Sequence, residues 1–432
     1  MQKEKYLNLL YSTTLILVTP FGGFACSMYK ITCAGKTMVG CNEDAWRTTS
    51  TIWFEKARNK SEYGAGFTGS RKVSGNRIAP QSGMNEAGLT FSRLASYFPK
   101  QPMKINKKII TDEATHLSDI LHQCATIREV KSYIEMYDYS YFIDDVFIYI
   151  DSTGSYLVVE PYNLIEGIDP SYVLSNFCPS ITSIEKARGL ERYRNGVDFL
   201  TAYKPDTALS FCTALSDTMH VCRKRNGDGT LLTSIWDTQK MMVHLYFYHN
   251  YDHAVSFNLT KELAKGDHRL RVANFFPANP EFERLVNYKT PFNRPILRVL
   301  LAMTGGLLML ISLVWIIIYF INRKKEEVNK LLIFKAGINM LLTFYLFILA
   351  TNINIYYFDA PYQHFQSRLI SASAYFPVLL LLSIFPVLLW TAQYFRMNQK
   401  KSWISSLLVF NILMYLVAIG GFHYWGLFDI VH

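Results

Sequence analysis

From about residue 299 to the end the chain is dominated by long stretches without a charge, and this restricts its fold more than anything else in the sequence. Charge-free windows run 299–322, 336–358, 369–395 and 402–428. Each exceeds the roughly 20 apolar residues a helix needs to cross a hydrocarbon core. Backbone groups in lipid must be satisfied within their own segment, so these windows predict four helices rather than strands. Pro377 and Pro386 are expected to kink the third. No window holds an interior Asp, Glu or Arg, Lys335 is expected to snorkel from the edge of the second, and His423 is the one titratable side chain well inside a window. This region therefore reads as an anchor or partner surface rather than an ion path.

Residues before about 295 mix charges, turns and short apolar runs, which is a globular pattern. The net charge of +10 invites a nucleic-acid reading. Much of the excess, however, clusters beside the spans, at Arg323, Lys324, Lys325, Lys330, Arg396, Lys400 and Lys401, where orientation explains it. No zinc-knuckle spacing, phosphate-cradling glycine loop or basic-aromatic stripe is present, so no nucleic-acid partner is expected.

The first 25 residues carry Lys3 and Lys5, an apolar run from Tyr6 to Val18, and small residues Gly23 and Ala25 at the end. That order is a secretory signal, and cutting after Ala25 leaves Cys26 first. The alternative is an uncleaved anchor helix, for which the apolar run is short. The sequence thus divides into a cleaved leader (1–25), an extracytoplasmic domain (26–295) and a membrane domain (296–432). The loops 323–330 and 396–401 are basic, whereas 359–368 has only Arg368 beside Asp359. The positive-inside rule places the two basic loops in the cytoplasm, in agreement with an exported Cys26 and a C-terminus outside. The expectation is a multi-pass membrane protein whose large domain is periplasmic, extracellular or lumenal. Seven cysteines are an odd count for an exported chain, and Cys26 is the expected unpaired one.

From Cys26 two short strands joined at Ala34-Gly35-Lys36 predict a hairpin that returns Asp44 toward Cys26. A thiol on a free N-terminus has its base nearby, because the α-amine, with an unperturbed pKa near 8, can take its proton. Asp44 would orient that amine. Gly83-Met84-Asn85-Glu86-Ala87-Gly88-Leu89 reads as a turn feeding a strand, with Asn85 and Glu86 structural. A helix is predicted over 115–136, strands over 144–150, 155–161 and 172–176, helices over 184–202 and 207–219, and strands over 231–236 and 241–248. This alternation suits a layered α+β domain.

Cys26 after a removable leader, Gly40-Cys41-Asn42-Glu43-Asp44, the Gly83–Leu89 run, Val158-Val159-Glu160, Ser175-Asn176-Phe177-Cys178-Pro179, Glu191-Arg192-Tyr193 and Thr233-Ser234-Ile235-Trp236-Asp237 occur in one order. Together they resemble the choloylglycine hydrolase and penicillin V acylase family of linear amide hydrolases with an N-terminal cysteine nucleophile. The resemblance spans residues 26 to about 260. It implies an αββα sandwich, an acyl-cysteine intermediate, a small-molecule N-acyl amide substrate, and no cofactor or metal. Carried over by position, Cys26 is nucleophile and base, Asp44 holds the amine, Asn176 donates to the oxyanion and Arg192 supports the thiolate.

Two positions depart from the family pattern. Cys41 replaces an arginine beside the thiol, with Arg47 or Arg192 left to compensate. Ala95, with Tyr97 close by, stands where the family has Asn or Tyr. If the main-chain N–H makes the oxyanion contact, alanine suffices. Three functional readings follow: an amidase, an acyltransferase using the same site, and an inactive sensor whose binding is signalled through the helices.

Overall fold

Strands whose residues are buried on both faces dominate the first part of the chain, and they need cover on both sides. The computed structural model describes residues 26–45, 47–73, 75, 77–102, 107–222, 229–321, 326–357, 368–397 and 403–430. The expected leader, the cations Arg323, Lys324, Lys325, Lys400 and Lys401, and Asp359 lie outside these residues. The chain forms two units, divided between Asn287 and Tyr288.

In the first unit, β1 (Cys26–Cys33), β2 (Lys36–Ala45), β10 (Ser171–Leu174), β11 (Gly229–Asp237), β12 (Met242–Phe247) and β13 (Asn250–Asn258) make a six-stranded sheet in the order β10-β1-β2-β11-β12-β13. A second sheet has eight strands: β3 (Thr51–Glu55), β4 (Ala65–Gly69), β5 (Ser82–Asn85), β6 (Thr90–Ala95), β7 (Asp145–Ile150), β8 (Tyr156–Val159), β9 (Leu164–Gly167) and β14 (His268–Arg271), ordered β14-β3-β4-β5-β6-β7-β8-β9. Every strand pair is antiparallel.

The sheets face one another through a polar seam. Thr68 donates to Glu43, Ser82 and Ser234 share a hydrogen bond of 2.9 Å, and the Trp236 indole lies 3.3 Å from Ser82 Oγ. The outer face of the six-stranded sheet packs Tyr29, Ile31, Met38 and Ile235 against Cys212 and Leu215 of helix Leu209–Thr218. Helices Glu113–Gln123 and Ile127–Glu135 cover the other sheet, with Leu117, Ile120, Leu121 and Val130 on Phe67, Phe91, Phe147 and Leu157. The result is the four-layer αββα sandwich.

Alternation explains the sorting, since neighbours along a strand point to opposite faces. Gly40 stands opposite Tyr29, and a Cβ there would lie 2.2 Å from the tyrosine ring. Only glycine lets that ring lie flat across the strand. The run at 83–89 is a turn held by Asn85, whose Oδ1 accepts from Ala87 N and Leu89 N while Nδ2 donates to Leu121 O and Cys124 O.

The helix expected over 115–136 is two, because Thr126 and Glu129 form a capping box that starts the second. The helix expected over 184–202 likewise breaks, into Ile184–Arg188 and Glu191–Ala202, around Gly189 and Leu190. No two of the seven cysteines are joined in a disulfide.

Among the described residues the second unit has four segments long and apolar enough to cross a membrane: Pro295–Ile321, Lys330–Thr351, Leu369–Arg396 and Trp403–Tyr424. Within the third, Pro377 occupies the first turn of helix Phe376–Met397, where its missing N–H is harmless, and Pro386 lies inside it. Lys335 does not snorkel. It is fully buried, and its ammonium donates to Leu408 O at 3.3 Å. Beside it Asn411 Nδ2 donates to Asn339 Oδ1 at 3.0 Å, and the Tyr415 hydroxyl donates to the same oxygen at 2.6 Å. Sequence hydropathy missed this cluster because three of its members are uncharged and one-dimensional windows do not show which helix face meets another.

Candidate active site

The register of the first hairpin builds the site. Cys26 opens β1 directly opposite Glu43, so both side chains point into the seam between the sheets, and Asp44 takes the other face. Asp44 pairs in register with Thr230 of β11, whose hydroxyl donates to Asp44 Oδ1. Helix Glu191–Ala202 packs over β1 and β10. Its Arg192 reaches Asp44 Oδ2 at 3.3 Å, with side chains 9% and 2% exposed. Opposite charges this well buried attract strongly in low dielectric.

Asn176 arrives from a separation of 150 residues. β10 runs antiparallel to β1 with Leu174 opposite Met28, which carries the next residues past Cys26. Asn176 Oδ1 accepts from Cys26 N at 3.0 Å, and Ser175 Oγ donates to Cys26 O at 3.0 Å. Asn176 Nδ2 donates to Ala95 O at 2.7 Å. An amide nitrogen carries two N–H groups, and this bond uses one. Ser96 N bonds Asp144 O across β7, so Ala95, one residue earlier, turns both its N–H and its carbonyl to the opposite edge, toward Asn176. The structure thus brings Cys26, Asp44, Asn176, Arg192 and Ala95 into one neighbourhood.

Sequence reading passed over two further members. Gln81 Nε2 lies 3.7 Å from Cys26 Sγ and also donates to Arg93 O. Its only sequence signal was its place just before β5. Glu43 is 2% exposed; its Oε1 accepts from Thr68 and Ser82, while Oε2 is buried without a hydrogen-bond partner.

Electrostatics at the thiol follow from this packing. Burial pushes the Cys26 thiol up to about 12, and the Asp44 and Glu43 carboxylates push the same way, while the Arg192 guanidinium opposes them. Arg47 is also within electrostatic reach of the thiol, and burial followed by the like charge of Arg71 lowers it to about 10. Cys41 is a buried thiol raised well above its usual value by desolvation. Glu43 is raised to about 7 by burial, against hydrogen bonds from Thr68 and Ser82 that lower it. With a continuous chain at Cys26 N, the nucleophile candidate is therefore a neutral thiol at physiological pH.

No protein-family model matches the sequence, and no curated protein matches it. Among solved structures the chain is similar to a mutant of the conjugated bile acid hydrolase from Clostridium perfringens, at 15% identity and TM-score 0.45, covering 59% of this chain and 97% of that one. A second variant of the same enzyme aligns at 17% identity and TM-score 0.44, with the same coverage. Penicillin V acylase from Agrobacterium tumefaciens aligns at 15% identity and TM-score 0.43, covering 55% of this chain and 88% of that one.

Proposed function

We propose that residues 26–295 form an extracytoplasmic amidohydrolase, anchored by four membrane helices, that cleaves a linear amide through an acyl-cysteine intermediate. The observation that carries this reading is the convergence on Cys26 of Asn176, whose Oδ1 accepts from Cys26 N, and of Asp44, whose main-chain O lies 4.0 Å from the thiol and whose carboxylate pairs with Arg192.

Removal of the leader converts Cys26 N from an amide into an amine. Protonated, it is a cation next to the sulfur and opposes the burial that keeps the thiol neutral. Neutral, it takes the thiol proton. The thiolate then attacks the amide carbonyl carbon, and the carbonyl electron pair moves to oxygen. The second N–H of Asn176 and the main-chain N–H of Ala95 are the donors assigned to that oxyanion, and Gln81 holds the sulfur side. Collapse breaks the C–N bond, the leaving amine takes the proton from the Cys26 amine, and a thioester remains. Water, deprotonated by the same amine, releases the acid and restores the thiol. Asp44, fixed by Thr230 and Arg192, orients the amine throughout.

One observation favours the inactive-sensor reading, namely a thiol held at about 12 beside Cys41 in place of a cation. A single experiment separates the two. The full-length protein in detergent is sequenced from its N-terminus, incubated with a panel of N-acyl amides and an electrophilic acylating probe, and weighed intact. An N-terminus at Cys26 with one acyl group on Cys26 and released amine supports the amidohydrolase. A chain beginning at Met1, or a Cys26 that never labels, overturns it. An added amine that captures the acyl group would mark acyl transfer instead.

A further inference from the structure

Away from Cys26, three side chains from distant parts of the first unit converge without any role in the chemistry above. Cys222 Sγ, His249 Nε2 and Glu281 Oε2 all lie within 4.8 Å of one another. We propose that they form a binding site for a zinc-class divalent cation.

The three residues come from three different elements. Cys222 sits in a short bridge to Gly229 just before β11, His249 in the turn joining β12 to β13, and Glu281 in the first turn of helix Pro280–Asn287. His249 Nε2 lies 2.7 Å from Glu281 Oε2, and Cys222 Sγ lies 3.9 Å from the same oxygen. Bonds to zinc of about 2.0–2.3 Å place neighbouring donors roughly 3.3–3.7 Å apart around a tetrahedron. The first contact therefore opens by under an ångström and the second closes slightly, which are side-chain movements only.

The turn bearing His249 provides an independent observation. Phe247 pairs with Asn250, so Tyr248 and His249 are the two residues of a tight hairpin turn, at φ +53° and +44°. Such a turn ordinarily takes Asn-Gly, because both central residues must be left-handed. Here two bulky residues accept that strain. Tyr248 is fully buried with its ring 5.2 Å from that of Phe282, and His249 is thereby aimed at Glu281. Unusual backbone held in place by packing is a feature of functional sites. His249 Nδ1 lies 3.4 Å from Thr230 O, the outer contact that leaves Nε2 as the ligand nitrogen.

The donor set selects the ion. A thiolate and a carboxylate balance a dication, a neutral imidazole completes three protein ligands, and water takes the fourth position. Magnesium and calcium prefer all-oxygen shells and are poorly served by the sulfur. Binding replaces the Cys222 S–H bond by S–Zn and releases one proton. It also ties down Cys222 beside Val221, whose N–H donates to the Thr230 hydroxyl, which in turn donates to Asp44.

The test uses the full-length protein in detergent, stripped with a chelator, re-equilibrated with zinc alone or cobalt alone, and freed of unbound metal. Metal analysis is expected to find one zinc per chain. The cobalt form is expected to show a thiolate charge-transfer band that is lost in Cys222→Ser. His249→Gln and Glu281→Gln should each weaken zinc by at least about tenfold, since even outer-shell changes cost that much. Any of the three variants that keeps the wild-type melting curve is decisive, and the two Gln changes preserve shape. Wild type without zinc, or a folded variant that retains wild-type zinc and the cobalt band, overturns the site. No amide substrate enters the measurement, so its outcome is independent of the amidohydrolase reading.

Discussion

Both units bury strong polar groups, and they do so in opposite ways. In the first unit a carboxylate and a guanidinium, Asp44 and Arg192, are held together beside a thiol, with Thr230 and Asn176 fixing the surroundings. In the second, Asn339, Asn411 and Tyr415 satisfy one another between apolar helices, and Lys335 is held by a backbone carbonyl. Burying an ion pair recovers little net stability, whereas removing one partner is strongly destabilising. Neutral side-chain bonds between helices in lipid lock the packing at modest energy. The same degree of burial therefore encloses a charged pair in one unit and neutral helix contacts in the other.

The largest expected effect is at Cys26. Cys26→Ala should abolish amide turnover and acyl labelling while the melting transition stays within about 1 kcal/mol, because little core volume is removed. Turnover by that variant would end the distinction between the units. Next is Asp44→Asn, which leaves the Arg192 guanidinium buried without its carboxylate. A loss of about 3–5 kcal/mol in denaturant unfolding of the first unit is expected. A loss below 1 kcal/mol would put the pair on a level with the membrane amides.

Asn176→Ala should lower kcat about 10²- to 10³-fold, roughly 3–4 kcal/mol, with little change in KM. Steady-state kinetics read this directly, and a rise in KM alone would reassign Asn176 to substrate binding. It should also slow acylation of Cys26 more than plain alkylation, which builds no oxyanion.

Glu43 tests burial without a counter-charge. Its carboxyl is raised from 4.5 to about 7, so between those values the folded state holds more protons than the unfolded chain. The stability it contributes is present below pH 4.5 and lost as pH rises through 7. Glu43→Gln removes that loss, and the variant should gain about 3 kcal/mol on wild type above pH 7. Parallel unfolding curves against pH check it, and an unchanged difference from pH 4 to 8 would sink the assignment. The smallest effect belongs to the second unit. A double-mutant cycle on Asn339→Leu and Asn411→Leu should give a coupling of about 0.6–2 kcal/mol. A coupling as large as the Asp44 loss would erase the contrast.

The four apolar helices and the hairpin that returns Asp44 to Cys26 were legible in the sequence, because hydropathy and strand register are local properties. The turn at Asn85 was legible for the same reason. Which groups surround the thiol was not. Gln81, Ala95 and Asn176 reach Cys26 only because β10 pairs with β1 and the two sheets stack face to face. Lys335 read as a snorkelling lysine because its distance along the helix was visible, whereas the helix face meeting Leu408 was not. The Cys222, His249 and Glu281 cluster had no sequence signal at all, since 27 and 32 residues separate its members and the turn that aims His249 lacks the usual Asn-Gly. Sequence by itself determined most of the elements and the four helices long and apolar enough to cross a membrane. Tertiary structure decided which groups meet and how far burial moves their charge, because contact and desolvation depend on neighbours brought together by packing.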